Sequence, residues 1–132
     1  MKPRILIVED DRPASQALLH LFRRHGCEVV ETRTAEEALP LLEKQKPDAI
    51  LLDLKLAGEM DGYAFLESLK RHSVASRIPV LIITNFGMPQ EIEKGRATGA
   101  KDYLVKSDRS VHEIVDRALS YVQKPHLEDV PH

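Results

Sequence analysis

Ile5-Leu6-Ile7-Val8-Glu9-Asp10-Asp11 sets four unbroken apolar residues against three acids. A short, uninterrupted run rich in branched apolar residues predicts a strand buried on both faces. The acids then stand where that strand ends, and in an open parallel sheet ligands bind beyond the carboxyl ends of the strands. Crowded carboxylates raise one another's pKa unless a cation relieves them. A donor set made only of oxygen suits a hard divalent ion such as Mg²⁺. Taken alone, these residues also fit an acidic turn in which Asp11 caps the following helix.

The same design recurs downstream. Pro47 leads into Ala49-Ile50-Leu51-Leu52-Asp53, again an apolar run ending in an acid. Pro79 leads into Val80-Leu81-Ile82-Ile83-Thr84, which ends in a hydroxyl, and Asp102–Val105 ends in Lys106. A shorter, more polar run, Glu28–Thr32, suits an edge strand. Between these runs lie helical patterns. After Asp11 and Pro13, Ala14, Ala17, Leu18, Leu21 and Phe22 recur at helical spacing until Gly26.

Thr34 with Glu37, and Ser110 with Glu113, are capping boxes. Pro40 falls inside the second helical pattern, where it costs roughly 3 kcal/mol and predicts a kink or a late helix start. Asp61 is a candidate cap for a helix with the stripe Gly62, Phe65, Leu66 and Leu69. Residues 89–98 predict a weak helix anchored by Ile92, in which Gly95 costs about 1 kcal/mol relative to Ala. Val111, Ile114, Val115, Ala118 and Val122 give the last helix a clean stripe, and residues 124–132 read as a C-terminal tail.

Strands and helices that alternate in this way predict right-handed crossovers and a parallel sheet covered on both faces. The expected fold is α/β: a doubly wound, five-stranded parallel sheet of flavodoxin-like order 2-1-3-4-5, over residues 1–123. That order puts the acid-tipped strands one and three at its switch point.

Composition bounds the rest. The 132 residues carry 19 basic and 21 acidic side chains, a net charge of −2, with no basic stripe. Nucleic acid is therefore not expected as a direct partner. Cys27 is the only cysteine, so no internal disulfide is expected and a buried thiol is its simplest role. No apolar run reaches membrane length. Cytoplasmic placement is the expectation.

Glu9, Asp10, Asp53, Thr84 and Lys106 thus fall on one edge of the sheet. Any one of them fits an ordinary surface or strand role; their convergence is far more specific. A carboxylate that receives a phosphoryl group meets an anion among anions, and Mg²⁺ bridges and neutralises both. In this reading Asp10 binds the metal directly and Glu9 through water. Asp53 places one oxygen on the metal and uses the other as nucleophile, forming an acyl phosphate. Lys106 offers a point charge to the phosphoryl oxygens, and the Thr84 hydroxyl donates a hydrogen bond to them.

Over residues 2–123 the chain resembles a receiver domain of two-component response regulators. The residues that carry the likeness are 5–11, Pro47–Asp53, Asp61-Gly62, Thr84 and Gly99–Lys106. The resemblance implies that Asp53 is the phospho-acceptor, served by a histidine kinase or phosphotransfer protein. It implies that the backbone carbonyl of Lys55 is a further metal ligand and Tyr103 the aromatic switch residue. From spacing alone, Tyr103 fits equally a half-buried edge aromatic. A downstream protein would read the face made by helix 89–98, the fifth strand and the last helix; homodimerisation is left open. No separate output domain follows residue 123, so the sequence fits a stand-alone regulator or a receiver cut from a longer chain.

The chain departs from the family pattern at several points. Ser107 stands where a cis proline is usual, and cis before a non-proline costs about 2.5–4 kcal/mol, so either isomer is open. Asn85 and Phe86 follow Thr84, and the loop after Asp53 has Ala57 in place of proline and one residue beyond the shortest versions. Phe86 and Lys55 flank the expected pocket, where they would obstruct a hydrolytic water. Three other classes are less consistent. An aspartyl phosphatase wants an acid where Lys55 stands. A nucleotide-binding fold wants a glycine- or hydroxyl-rich loop after strand one. A receiver-like binding module that is never phosphorylated would lose acids or lysine that are all present here; it is the main alternative.

Overall fold

Each of the five expected runs is a strand. In the computed structural model, residues 2–56, 58–72, 75–85 and 88–128 are described, with side chains up to Val122. The strands are β1 (Arg4–Val8), β2 (Glu28–Thr32), β3 (Ala49–Leu52), β4 (Val80–Thr84) and β5 (Asp102–Val105). All are parallel, in the order β2-β1-β3-β4-β5. β3 and β4 are buried throughout and β1 from Ile5 onward, whereas β2 stays exposed or half-buried until Thr32, as an edge should.

The alternation of side chains along the strands divides the core in two. Ile5, Ile7, Leu51, Leu81 and Ile83 meet α1 (Arg12–Arg24) and α6 (Val111–Glu128) through Leu18, Phe22, Ile114, Val115 and Ala118. Leu6, Val8, Ile50, Leu52 and Ile82 face the other way. There they meet α2 (Ala35–Ala38), α3 (Leu41–Gln45), α4 (Gly62–Lys70) and α5 (Pro89–Ala97). Cys27 is buried in the first of these cores.

Local expectations mostly hold, with instructive differences. Both capping boxes form, and Asp61 accepts a hydrogen bond from the Ala64 N–H at 2.9 Å. Asp11 occupies the N-cap position of α1, but its side chain makes no capping bond. Pro40 splits the second helix into α2 and α3: it cannot donate to Glu36, so it serves as the N-cap of a new helix. The expected tail is partly helical, since α6 runs on to Glu128; once nucleated, a helix extends at small cost. No helix among the described residues is long and apolar enough to cross a membrane.

Gly95 has a packing reason that the sequence did not reveal. A Cβ there would lie 2.7 Å from Ile82 Cδ1 and 3.2 Å from the Tyr103 ring. The glycine lets a weakly apolar helix sit directly on the sheet.

Candidate functional site

The β ladder continues past the strand ends and fixes the acids. The Glu9 N–H donates to the Thr32 carbonyl and the Asp53 N–H to the Val8 carbonyl, both at 3.0 Å. Adjacent strands therefore aim their terminal carboxylates at one point. Glu9, Asp10 and Asp53 each offer an oxygen within 4.8 Å of the others. Glu9 and Asp53 are buried and Asp10 is half-buried.

Lys106 enters from the end of β5. Its Nζ stands 3.2 Å from Asp53 Oδ2 and also bonds Glu9 Oε1. The Lys106 ammonium thus meets two of the three carboxylates. Burial first, then contact with Asp53, pushes the Glu9 carboxyl above its ordinary value, against the opposing effect of Lys106. Burial alone would lower the Lys106 ammonium, but Glu9 and Asp53 together hold it above its usual value. Glu9 Oε2 is buried and has no hydrogen-bond partner among the described residues. Buried polar atoms are rarely orphaned. An acidic, oxygen-only cluster with an orphaned oxygen and surplus negative charge has the chemistry of a hard divalent cation site.

The loop from β3 to α4 forms one wall. The Lys55 N–H donates to Asp53 Oδ1 at 3.1 Å and fixes the plane of that carboxylate. The Gly62 N–H closes the loop onto the Leu54 carbonyl at 3.1 Å. Here glycine is required: a Cβ at Gly62 would lie 2.8 Å from both the Asp53 carbonyl oxygen and Leu54 Cα. Ala57 lies outside the described residues, as does Phe86 with the flanking role expected of it.

Thr84 ends β4, fully buried, with exposed Asn85 after it. Thr84 and Ile82 lie on the sheet face that also carries Tyr103, which pairs in register with Ile82. Tyr103 is only 7% exposed and packs beneath α5. It is a buried aromatic rather than a half-buried one, because Gly95 leaves room for its ring. α5 is also held laterally. The Tyr63 hydroxyl bonds the Glu91 carboxylate and lies 3.3 Å from the Glu91 carbonyl oxygen. The Lys94 ammonium lies 4.1 Å from the centre of the Tyr63 ring. No peptide among the described residues is cis; Lys106–Ser107 is trans and opens a 3₁₀ turn over Lys106–Asp108.

Two features escaped sequence reasoning. Glu36 on α2 accepts hydrogen bonds from the N–H groups of Glu59 and Met60 in the loop from β3 to α4, at 3.0 and 3.2 Å. Tyr63 bridges α4 to α5. Neither contact follows a periodic pattern; the only cue was Tyr63's place beside the Asp61-Gly62 pair.

With this geometry in view, comparison with known proteins is informative. A family model described as the response regulator receiver domain matches residues 5–125. The chain is 37% identical over 106 residues to the phosphate regulon transcriptional regulatory protein PhoB of Escherichia coli (strain K12), covering 80% of this chain and 46% of PhoB. It is 33% identical over 105 residues to protein PilH of Pseudomonas aeruginosa, covering 78% of this chain and 84% of PilH. The chain thus spans about half the length of the PhoB proteins it matches. Among solved structures, a putative response regulator from Chloroflexus aurantiacus J-10-fl superposes with a TM-score of 0.85 at 32% identity, covering 92% of this chain and 98% of that one. The chemotaxis response regulator CheY4 of Vibrio cholerae gives 0.83 at 25% identity, covering 92% and 99%.

Proposed function

The chain belongs to the response regulator receiver domain family, and from that premise we propose that Asp53 is its phospho-acceptor and that a bound Mg²⁺ supports the transfer. The observation that carries this reading is the meeting of Glu9, Asp10 and Asp53 within 4.8 Å, with Lys106 Nζ 3.2 Å from Asp53. Asp10, Asp53 and the Lys55 carbonyl would hold the metal, and Glu9 would act through water. When bound, the ion offsets the charge of the carboxylates and of the incoming phosphoryl group.

This chain's residues do the remaining work. The Lys55 amide orients the Asp53 carboxylate through Oδ1, and one carboxylate oxygen attacks phosphorus. The phosphorus–nitrogen bond of a phosphohistidine donor breaks, and its electron pair leaves with the imidazole, which then takes up a proton. Lys106 moves its charge from the carboxylate to the phosphoryl oxygens, and the Thr84 hydroxyl donates to one of them. These are fixed charges and donors aimed at developing negative charge. The chain is a signalling switch; the only chemistry assigned to it is acceptance and later hydrolysis of its own phosphoryl group.

The output is conformational. Thr84 moving toward the phosphoryl group alters the space beside Tyr103, directly under α5. A ligand or modification shifts a two-state element only through contacts that differ between the states. α5, whose one buried residue is Gly95 at its contact with the sheet, is the element of low local stability suited to move. A downstream protein would read the α5–β5–α6 face. The receiver unit is taken as residues 1–123, with 124–132 as a tail.

Incubation with acetyl phosphate and Mg²⁺, followed by intact mass measurement, tests the reading. One phosphoryl group should be gained by the native chain and none by Asp53→Asn or when the ion is chelated. A folded native chain that gains none leaves a non-phosphorylated binding module.

A further inference from the structure

Among the described residues, three tethers hold the acceptor loop, two of them from the acceptor strand and the following helix. Lys55 N–H to Asp53 Oδ1 fixes its start. Gly62 N–H to the Leu54 carbonyl, with the Asp61 cap, fixes its end. The third comes from across the molecule: Glu36 accepts from the Glu59 and Met60 amides at its apex. Glu36 is itself firmly placed. It follows Thr34, whose capping box with Glu37 fixes the first turn of α2, and Ala35 and Ala38 bury the other side of that turn.

The apex is shaped to receive this carboxylate. Gly58 has φ +94, a conformation that turns the next amides toward a common acceptor, and a Cβ there would lie 2.9 Å from Glu36 Oε1. The positive φ strains any side chain at Gly58, and a Cβ there would displace the Glu36 carboxylate. The backbone N–H groups of Glu36 itself and of Glu59 hold the Glu36 carboxyl below the usual range. Charge-assisted bonds to backbone amides are among the stronger ones.

We propose that Glu36 is a positioning residue for the divalent-cation site: its carboxylate clamps the loop apex and thereby fixes the Lys55 carbonyl relative to Asp10 and Asp53. This rests on the metal reading of the preceding section. Glu36 supplies the constraint from outside the loop. A backbone ligand cannot be held by its own side chain, so its placement depends on whatever immobilises the loop.

The test uses the full chain without phosphate, with Mn²⁺ as the probe ion, its free concentration followed by electron paramagnetic resonance. Amide exchange at Glu59 and Met60 is measured alongside. E36A should lower Mn²⁺ affinity by about tenfold, the low end for outer-shell partners, and accelerate exchange at those two amides. E36Q keeps an acceptor oxygen at the same reach and should recover most of the affinity. E36D keeps the charge but shortens the reach, and should resemble E36A; it also replaces E36A should that variant melt early. Native affinity in E36A and E36D overturns the proposal. So does E36Q binding as weakly as E36A while E36D binds normally, since charge rather than tethering would then be responsible. A native chain that binds no Mn²⁺ removes the metal site itself and the clamp with it.

Discussion

Lys106 Nζ stands 3.2 Å from Asp53 Oδ2, although 53 residues separate them in the chain. The contact exists because β4 lies between β3 and β5, and all three end on the same edge. It puts the Lys106 ammonium beside the carboxylate proposed to receive a phosphoryl group.

Replacing that cation separates two roles. Lys106→Met should slow acetyl-phosphate labelling of Asp53 by about 10²–10³-fold, the usual cost of losing a preorganised charge. Mn²⁺ binding should persist or tighten, because a competing positive charge has gone. Parallel loss of labelling and ion binding would instead mean that the site had collapsed.

The wall behind the acceptor is equally specific. Gly62→Ala places a methyl group 2.8 Å from backbone atoms of Asp53 and Leu54, which cannot rotate away. Helix propensity favours alanine by about 1 kcal/mol, yet overpacking costs about 1–3 kcal/mol. Denaturant titration should therefore show net destabilisation of about 1 kcal/mol, and labelling of Asp53 should slow. A stabilised variant contradicts the packing account.

The Tyr63 bridge makes a prediction about motion. Tyr63→Phe keeps the ring under Lys94 but removes the hydroxyl that binds Glu91. Amides of α5 should exchange faster than in the native chain, with a global stability loss of about 1 kcal/mol. Labelling yield at Asp53 should stay unchanged, because Tyr63 touches α5 and not the acids. Unchanged exchange in α5 would show that the helix is held by its contact with the sheet alone.

Asp102 gives a pH dependence away from the acidic pocket. Burial would raise its carboxyl, but Arg117, the Tyr103 amide and the Tyr121 hydroxyl bond it and hold it below the ordinary 3.8. A depressed folded-state value means stability that is complete above 3.8 and lost as pH falls through the lower folded value. Arg117→Met should cost about 1 kcal/mol at neutral pH, discounted for the partial exposure of Arg117. The difference from the native chain should shrink below pH 3.8. A difference that persists undiminished in strong acid would assign the loss to packing.

The fold was legible because its signals are local. Three buried strands show as unbroken apolar runs, and the acids at Glu9 and Asp53 mark where two of them stop. Convergence of Glu9, Asp10, Asp53 and Lys106 followed once strand order was fixed. What the sequence hid depends on side-chain reach across elements. Glu36 finds amides 23 and 24 residues away, and Tyr63 finds Glu91 28 residues away; no periodicity encodes either. Gly95 looked like a weakness in its helix because the Tyr103 ring it accommodates lies on another element. Pro40 was recognised as a disturbance, but only backbone geometry shows that it begins a new helix.

The central claim is that the phosphoryl group lands on Asp53, and locating the acyl phosphate tests it most directly. Borohydride reduction converts an aspartyl phosphate to homoserine, which peptide mapping then places in the sequence. After acetyl phosphate and Mg²⁺, homoserine should appear at position 53 and nowhere else. Homoserine at position 10 or 11, or a labelled chain whose Asp53 survives intact, would contradict the account.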